Sequence, residues 1–196
     1  MAHCFSEIIS FWVSIDERLL LVLNGSHCPF FDALMWTVSD KWVWAPFYVL
    51  LAYLVLRRSM WRHGLLCLLV IGLVILVTDQ TCASLIRPAV QRLRPSSPDN
   101  PISPLVHILN GYHGGRYGFP SCHAANTFAL AVFLSLYFHR RRMTVLLVVW
   151  ATVVSYSRIY LGVHYPGDIL CGALVGCIYS LLFWYIITPR SIRSES

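Results

Sequence analysis

The chain has 196 residues, of which 57% are hydrophobic and 12% charged, with a formal net charge of +6 and a mean hydropathy of +0.63. Soluble domains carry about 25% charged residues, so this length suffices for one compact unit but the composition cannot supply its polar exterior. A cytosolic globular enzyme, a disordered protein and a nucleic-acid binder are excluded, leaving an all-α, multispan membrane protein.

Along residues 5–23, Ile8, Phe11, Trp12, Ile15, Leu19 and Val22 recur at helical spacing, with Glu7, Asp16 and Glu17 on other faces. Together with 29–39 this predicts an N-terminal interfacial segment, 1–40, lying on the membrane, with a short extra span as the alternative. No cleavable signal peptide is expected, because Asp16, Glu17 and Arg18 interrupt the apolar stretch. A spanning helix needs about 20 apolar residues. The runs 65–86, 123–138, 143–157 and 169–187 approach that length, and 42–56 joins them if its aromatic ends sit in the interface. The prediction is a bundle of about five transmembrane helices over 41–189, followed by a cytoplasmic tail, 190–196. Between 94 and 121 the composition turns to Pro, Ser, Asn and Gly, including Asn110-Gly111-Tyr112-His113-Gly114-Gly115, which makes one long loop.

Fourteen of the 15 basic residues are arginines; Lys41 is the exception. With five spans, Arg57, Arg58, Arg62, Arg140, Arg141, Arg142, Arg190 and Arg193 share one side, which the positive-inside rule makes cytoplasmic. The opposite side still holds Lys41, Arg87, Arg92, Arg94, Arg116 and Arg158. Charges that only steered topology would not be so evenly divided, so this second group has another task. The seven cysteines (4, 28, 67, 82, 122, 171 and 177) form no CxxC pair and read as small core residues.

Three stretches meet on that outer side. Arg87 and Arg94 stand seven apart, on one face if the helix continues past Pro88. Pro120-Ser121-Cys122-His123 opens a span, with Ser121 as N-cap and free backbone N–H groups behind it. Ser157-Arg158, His164 and Asp168 follow, with Pro166 suited to a first helical turn. Alone, each piece has a plain structural reading: a helix stop, a cap, an interfacial histidine. Together they place three arginines, two histidines, a serine and an aspartate at the ends of adjacent spans, and that much positive charge calls for an anion such as phosphate. Asp79, inside a span, reads as a residue paired to a neighbouring helix.

The series Arg-x6-Arg-Pro, Pro-Ser-Cys-His and Ser-Arg-x5-His-x3-Asp resembles the signature of the type 2 phosphatidic acid phosphatase (PAP2) superfamily, usually Lys-x6-Arg-Pro, Pro-Ser-Gly-His and Ser-Arg-x5-His-x3-Asp. The resemblance covers residues 30–187 and is similar to the small bacterial lipid phosphatases of the group. Arg87 stands in place of lysine and Cys122 in place of glycine. The resemblance implies a PAP2/haloperoxidase-like bundle in which Arg87, Arg94, Arg158, Ser121 and the Cys122 backbone hold the phosphoryl group. His164 is then the nucleophile that becomes a phosphohistidine, Asp168 orients it, and His123 is the general acid and base. No metal and no cofactor are expected, since the arginines supply the charge stabilisation. Arg92, Arg116 and Tyr117 are candidate headgroup contacts, and Tyr112 and His113 candidate caps of the site.

The expected partners are the bilayer and a phosphorylated lipid, with the site facing the periplasm from a bacterial inner membrane. Lipid A, at its 4′-phosphate, is the leading substrate expectation. Undecaprenyl diphosphate is the alternative, and phosphatidylglycerophosphate or phosphatidic acid a further one. Three rival readings share parts of the pattern: a haloperoxidase, an anion transporter, and a metal hydrolase using His123, His164 and Asp168.

Overall fold

The computed structural model describes the backbone of residues 2–188, and side chains at residue 7 and at 10–188; the expected tail 190–196, with Arg190 and Arg193, lies outside them. Helices α1 (Ala2–Gly25), α2 (Pro29–Ser39) and α3 (Ala45–Arg58) come first. Helix α4 (Trp61–Gln80) runs through a widened turn at Thr81–Ile86 into α5 (Arg87–Val90). The widening falls where the ring of Pro88 crowds the carbonyl one turn back. After the long loop come α6 (Cys122–Phe138), α7 (Arg141–Tyr160) and α8 (Pro166–Leu182), the last with a widened end at Phe183–Ile187.

Among the described residues, three stretches are long and apolar enough to cross a membrane: Trp61–Val90, Arg141–Tyr160 and Pro166–Ile187. Helix α6, at 17 residues, is shorter but equally apolar. The run expected at 42–56 instead opens with a turn, and its helix, α3, has 14 residues. Helix α1 is long, but Glu7, Asp16, Glu17 and Arg18 leave it outside the crossing set.

Helix α6 is the central post. Ala124, Ala125, Ala129, Leu130, Phe133 and Leu134 are all buried, so it is apolar around its circumference, and α4, α7 and α8 pack against it. Toward α8 the contact is backbone to backbone. A Cβ at Gly172 would collide with the Ser121 carbonyl, and one at Gly176 with that of Ala125. One turn on, Ser180 Oγ donates to Ala129 O at 2.5 Å. Small residues every fourth position on both helices let them close to van der Waals contact, the usual means of association where lipid removes the hydrophobic drive. Opposite, Leu51, Val55, Val70, Val74, Phe133 and Trp150 fill the space among α3, α4, α6 and α7. Outward faces are apolar as well: Leu69, Leu170 and Ile186 are 70%, 70% and 71% exposed, surface that only acyl chains can cover. The molecule is a multi-pass membrane protein.

The N-terminal segment is bonded into the remainder. Asn24 Nδ2 donates to Tyr160 O at 2.7 Å and to His107 O at 3.0 Å. Asp16 Oδ1 accepts from Gly167 N at 2.8 Å. These contacts cross the expected division at residue 40 and reach the end of α7, the outer loop and the start of α8.

Candidate active site

Arg87 occupies the last turn of the α4–α5 stretch, and the chain then leaves the helix through Gln91 in the left-handed conformation (φ 52°). The sequence expectation that Arg87 and Arg94 share a helix face is corrected here: Arg94 lies beyond the helix end. It is carried back by a two-bond staple, Arg94 N to Arg116 O at 3.0 Å and Gly118 N to Arg92 O at 2.9 Å. This staple closes the base of the loop, whose Ser96, Ser97 and Asn100 are buried. The loop is thus a lid with a packed base, at Ser96, Ser97 and Asn100, and an exposed tip over residues 110–116.

Arg94 is 7% exposed. Its Nε donates to Tyr117 O at 3.1 Å, and Nη1 reaches Val163 O at 3.0 Å and His164 Nε2 at 2.9 Å. A guanidinium has only donors, so His164 Nε2 accepts and the ring proton sits on Nδ1. That nitrogen faces Asp168 Oδ2 at 3.4 Å. Burial, and then the charges of Arg94, Arg158 and Arg87, hold the His164 pKa well below its usual value, so the ring is neutral at pH 7 with a lone pair on Nε2. Burial and the like charges of Arg87 and Arg158 also push Arg94 down to about 10, which leaves it charged.

Asp168 is fully buried. Oδ1 accepts from Arg92 Nη1 at 2.9 Å and Oδ2 from Tyr165 N at 3.0 Å, the latter as part of a capping box that starts α8 behind Pro166. Arg92 also pairs with Asp16 Oδ2 at 2.8 Å and lies 3.8 Å from the centroid of the Tyr165 ring. Arg92 is thus joined to two carboxylates, and not free for a headgroup as expected. Asp16, Arg92, Asp168 and His164 form one chain of contacts.

Ser121 is buried at the N-cap of α6, its Oγ accepting from Ala124 N at 3.5 Å and its N donating to Asp168 O at 3.0 Å. The serine motif and the His–Asp motif are therefore directly bonded. Arg87 Nη2 donates to Pro120 O at 3.2 Å and lies 3.0 Å from Cys122 Sγ. Arg158, 4% exposed, meets Ser39 Oγ through Nη1 and Tyr112 Oη at 3.3 Å through Nη2. The Nε atoms of Arg87 and Arg158 are buried with no hydrogen-bond partner. Buried donors left unmatched are costly; Arg58 Nε at the opposite end of the bundle is unmatched too, so it is the nearness of Arg87 and Arg158 to Arg94 and His164 that marks where acceptor oxygens belong. His123 lines a cavity of about 360 Å³ with Trp36, Ser39, Lys41, Tyr112 and Arg158. Arg116 is exposed, paired to Asp99 at 3.1 Å and set over the Tyr117 ring, away from this group. His113 Nδ1 lies 2.5 Å from Ser96 O and so is engaged within the loop. Asp79 accepts from Asn126 Nδ2 at 2.8 Å, pairing α4 with α6.

Sequence reasoning missed several supports: Asp16, Ser39, the Tyr165 backbone, and Gly118. A Cβ on Gly118 would stand 3.0 Å from Arg94 Cγ and 3.2 Å from Asp168 Oδ2, so a larger residue there would press on both site side chains. A charged residue within an apolar helix, Asp16, was the one available signal.

A helical membrane bundle with three arginines around a buried His–Asp couple defines a protein built to hold an oxyanion. Residues 64–192 match the PAP2 superfamily. The chain is 46% identical over 189 residues to a lipid A 4′-phosphatase of Bacteroides thetaiotaomicron, covering 96% of this chain and 84% of that protein. It is 34% identical to a lipid A 4′-phosphatase of Porphyromonas gingivalis, over 85% of this chain and 70% of that one. The crystal structure of Aquifex aeolicus LpxE superposes with a TM-score of 0.63 at 23% identity, covering 86% of this chain and 93% of that one. The chain belongs to the PAP2 superfamily and is a membrane phosphatase of that type.

Proposed function

We propose that this protein removes the 4′-phosphate of lipid A at the periplasmic face of the inner membrane, through a phosphohistidine on His164. The reading is carried by one observation: a neutral, buried imidazole whose Nε2 lone pair points at a guanidinium. Phosphoryl oxygens compete for Arg94, Arg87 and Arg158, draw Arg94 off Nε2, and leave that lone pair in line with phosphorus. His164 Nε2 bonds to phosphorus as the bond to the sugar oxygen breaks, and His123 delivers a proton to that oxygen. Asp168 steadies the charge that develops on the ring. Water, deprotonated by His123, then attacks phosphorus, releasing inorganic phosphate and restoring His164.

A metal hydrolase at the same residues is disfavoured by their neighbours. His164 Nε2 faces a guanidinium cation and Asp168 is engaged by Arg92 and Tyr165 N, arrangements that repel a second cation. A lipid substrate suits the surroundings. Along α6, one turn from His123, Asn126 and Thr127 enter an apolar cleft lined by Leu51, Ile71, Leu130 and Trp150, suited to an acyl chain. The relatives' names favour lipid A as that lipid. We read about five membrane crossings, counting α3 and α6 with the three longer stretches, around a catalytic unit at 41–189.

The test is to incubate purified protein with lipid A in EDTA, weigh the product by mass spectrometry and quench the enzyme in alkaline detergent. Loss of one phosphate from the 4′ position, with an acid-labile, base-stable phosphoenzyme that is absent in His164→Ala, is the expected result. Unchanged lipid A alongside hydrolysis of undecaprenyl diphosphate would reassign the substrate. Loss of turnover in EDTA would reassign the mechanism.

A further inference from the structure

Outside the arginine cluster, one group of side chains among the described residues has the chemistry of a site and no part in the reaction. His27 lies in the corner between α1 and α2, Asp32 in the first turn of α2, and His107 in the outer loop. Their ligand-type atoms all lie within 4.8 Å of one another. We propose that His27, Asp32 and His107 bind a single divalent transition-metal ion of the zinc class, which clips the α1–α2 corner to the outer loop, apart from the catalytic centre.

Distance supports this first. Zinc binds nitrogen and carboxylate oxygen at about 2.0–2.2 Å, so two ligands at the corners of its tetrahedron stand roughly 3.4 Å apart. His107 Nε2 and Asp32 Oδ1 are 3.2 Å apart. The third ligand is near but not yet turned: the rings of His27 and His107 stack at 3.7 Å with planes 2° apart, so the exposed His27 ring has to swing out of the stack to present a nitrogen to the ion. Two imidazoles and one carboxylate suit zinc over calcium or magnesium, which prefer all-oxygen sets. Because His27 is exposed, water can complete the fourth position and the ion has a path in.

The ligands are also held from behind. Tyr160 Oη donates to Asp32 Oδ1 at 2.7 Å, and metal-binding carboxylates are commonly oriented by such a bond. The His107 backbone is gripped at both groups by Asn24, its N donating to Oδ1 at 2.7 Å and its O accepting from Nδ2 at 3.0 Å. This is a stiffer mounting than a surface histidine needs for solubility. The two elements joined stand 75 residues apart in sequence, and the loop they secure carries Tyr112 to Arg158. The ion acts on the shape of the lid and takes no step in phosphoryl transfer.

The experiment titrates metal-stripped, full-length protein in detergent with zinc chloride, reading stoichiometry by calorimetry and melting temperature by light scattering. One ion per chain is expected, raising the melting temperature by roughly 3–6 °C. His27→Gln and His107→Ala should each abolish both effects, and Tyr160→Phe should weaken binding about tenfold. His27 is exposed, so its variant folds even if His107→Ala does not. Cobalt in place of zinc should give visible d–d bands without a thiolate charge-transfer band, and phosphate release by the His27→Gln variant should match wild type. No binding, or one ion retained in His27→Gln, or a thiolate band, would overturn the proposal by showing that no ion binds or that it sits on cysteine elsewhere.

Discussion

Most arginines at the two ends of this bundle differ in their fates. At the end carrying the α3–α4 and α6–α7 connections, Arg57, Arg62, Arg140, Arg141 and Arg142 are exposed; Arg57 reaches no further than the Tyr53 hydroxyl at 2.9 Å, and Arg58, half-buried with an unpartnered Nε, lies over the Tyr137 and Phe138 rings. At the other end Arg94 and Arg158 are buried, and Arg158 shares with Arg87 an unpartnered Nε. The first set keeps its hydration and can orient the chain by charge alone. The second has lost water and converges on one point, which is tolerable only where an oxyanion is the customary visitor. Counting arginines per side blurs the two tasks; burial separates them.

The sharpest break of that comparison is chemical. His164→Ala should abolish phosphate release altogether, and Arg94→Ala should lower kcat by about 10²–10³, while Arg141→Ala leaves it unchanged; all are read by released phosphate from lipid A. A large loss in Arg141→Ala would erase the distinction between the ends. Asp168→Asn should be as severe, slowing turnover by about 10³-fold through loss of the Nδ1–H orientation. Arg92→Met, which removes only the group that steadies Asp168, should cost roughly tenfold, with KM little changed.

A pH profile tests the electrostatics more gently. The His164 pKa is depressed, so the neutral ring persists below the usual value of about 6.5, and protonation removes the nucleophile only further down. The acid limb of kcat/KM should therefore lie below pH 6.5 in the wild type. Burial is the first cause and the Arg94 charge the second, so in Arg94→Ala the limb should move upward without regaining the full 6.5. Measuring both with one substrate cancels the titration of the substrate phosphate. Smallest in energetic terms is a topological test in a cysteine-free background. A cysteine at Gly115 should react with an impermeant thiol reagent in intact cells, and one at Arg141 should not.

Local chemistry was legible from sequence where it is short in range. Ser121 caps α6, Pro166 opens α8, and the spacing from His164 to Asp168 puts the two side chains together, each within five residues of its partner. Arg94 was read onto a helix that stops at Val90, because Gln91 adopts φ 52° without being glycine and nothing local announces it. Arg92 was read as a headgroup contact because its partners are 76 residues on and 76 back, at Asp168 and Asp16. The aromatic residues at 42–44 resemble a membrane anchor, yet Lys41 and Trp42 belong to a turn that precedes α3.

The ladder of small residues between α6 and α8 has a mechanical consequence. Ser121 rides on one helix and Asp168 on the other, and their 3.0 Å bond sits at the top of three successive touching points. When a bilayer thins or thickens, helices answer by tilting. Two helices seated backbone against backbone tilt as one beam, so the separation between phosphate cradle and nucleophile is insulated from the lipid around it. Turnover measured in nanodiscs of short- and long-chain lipid should then differ little in the wild type. In Gly176→Ala, which levers the beam apart, the same change of lipid should show in kcat.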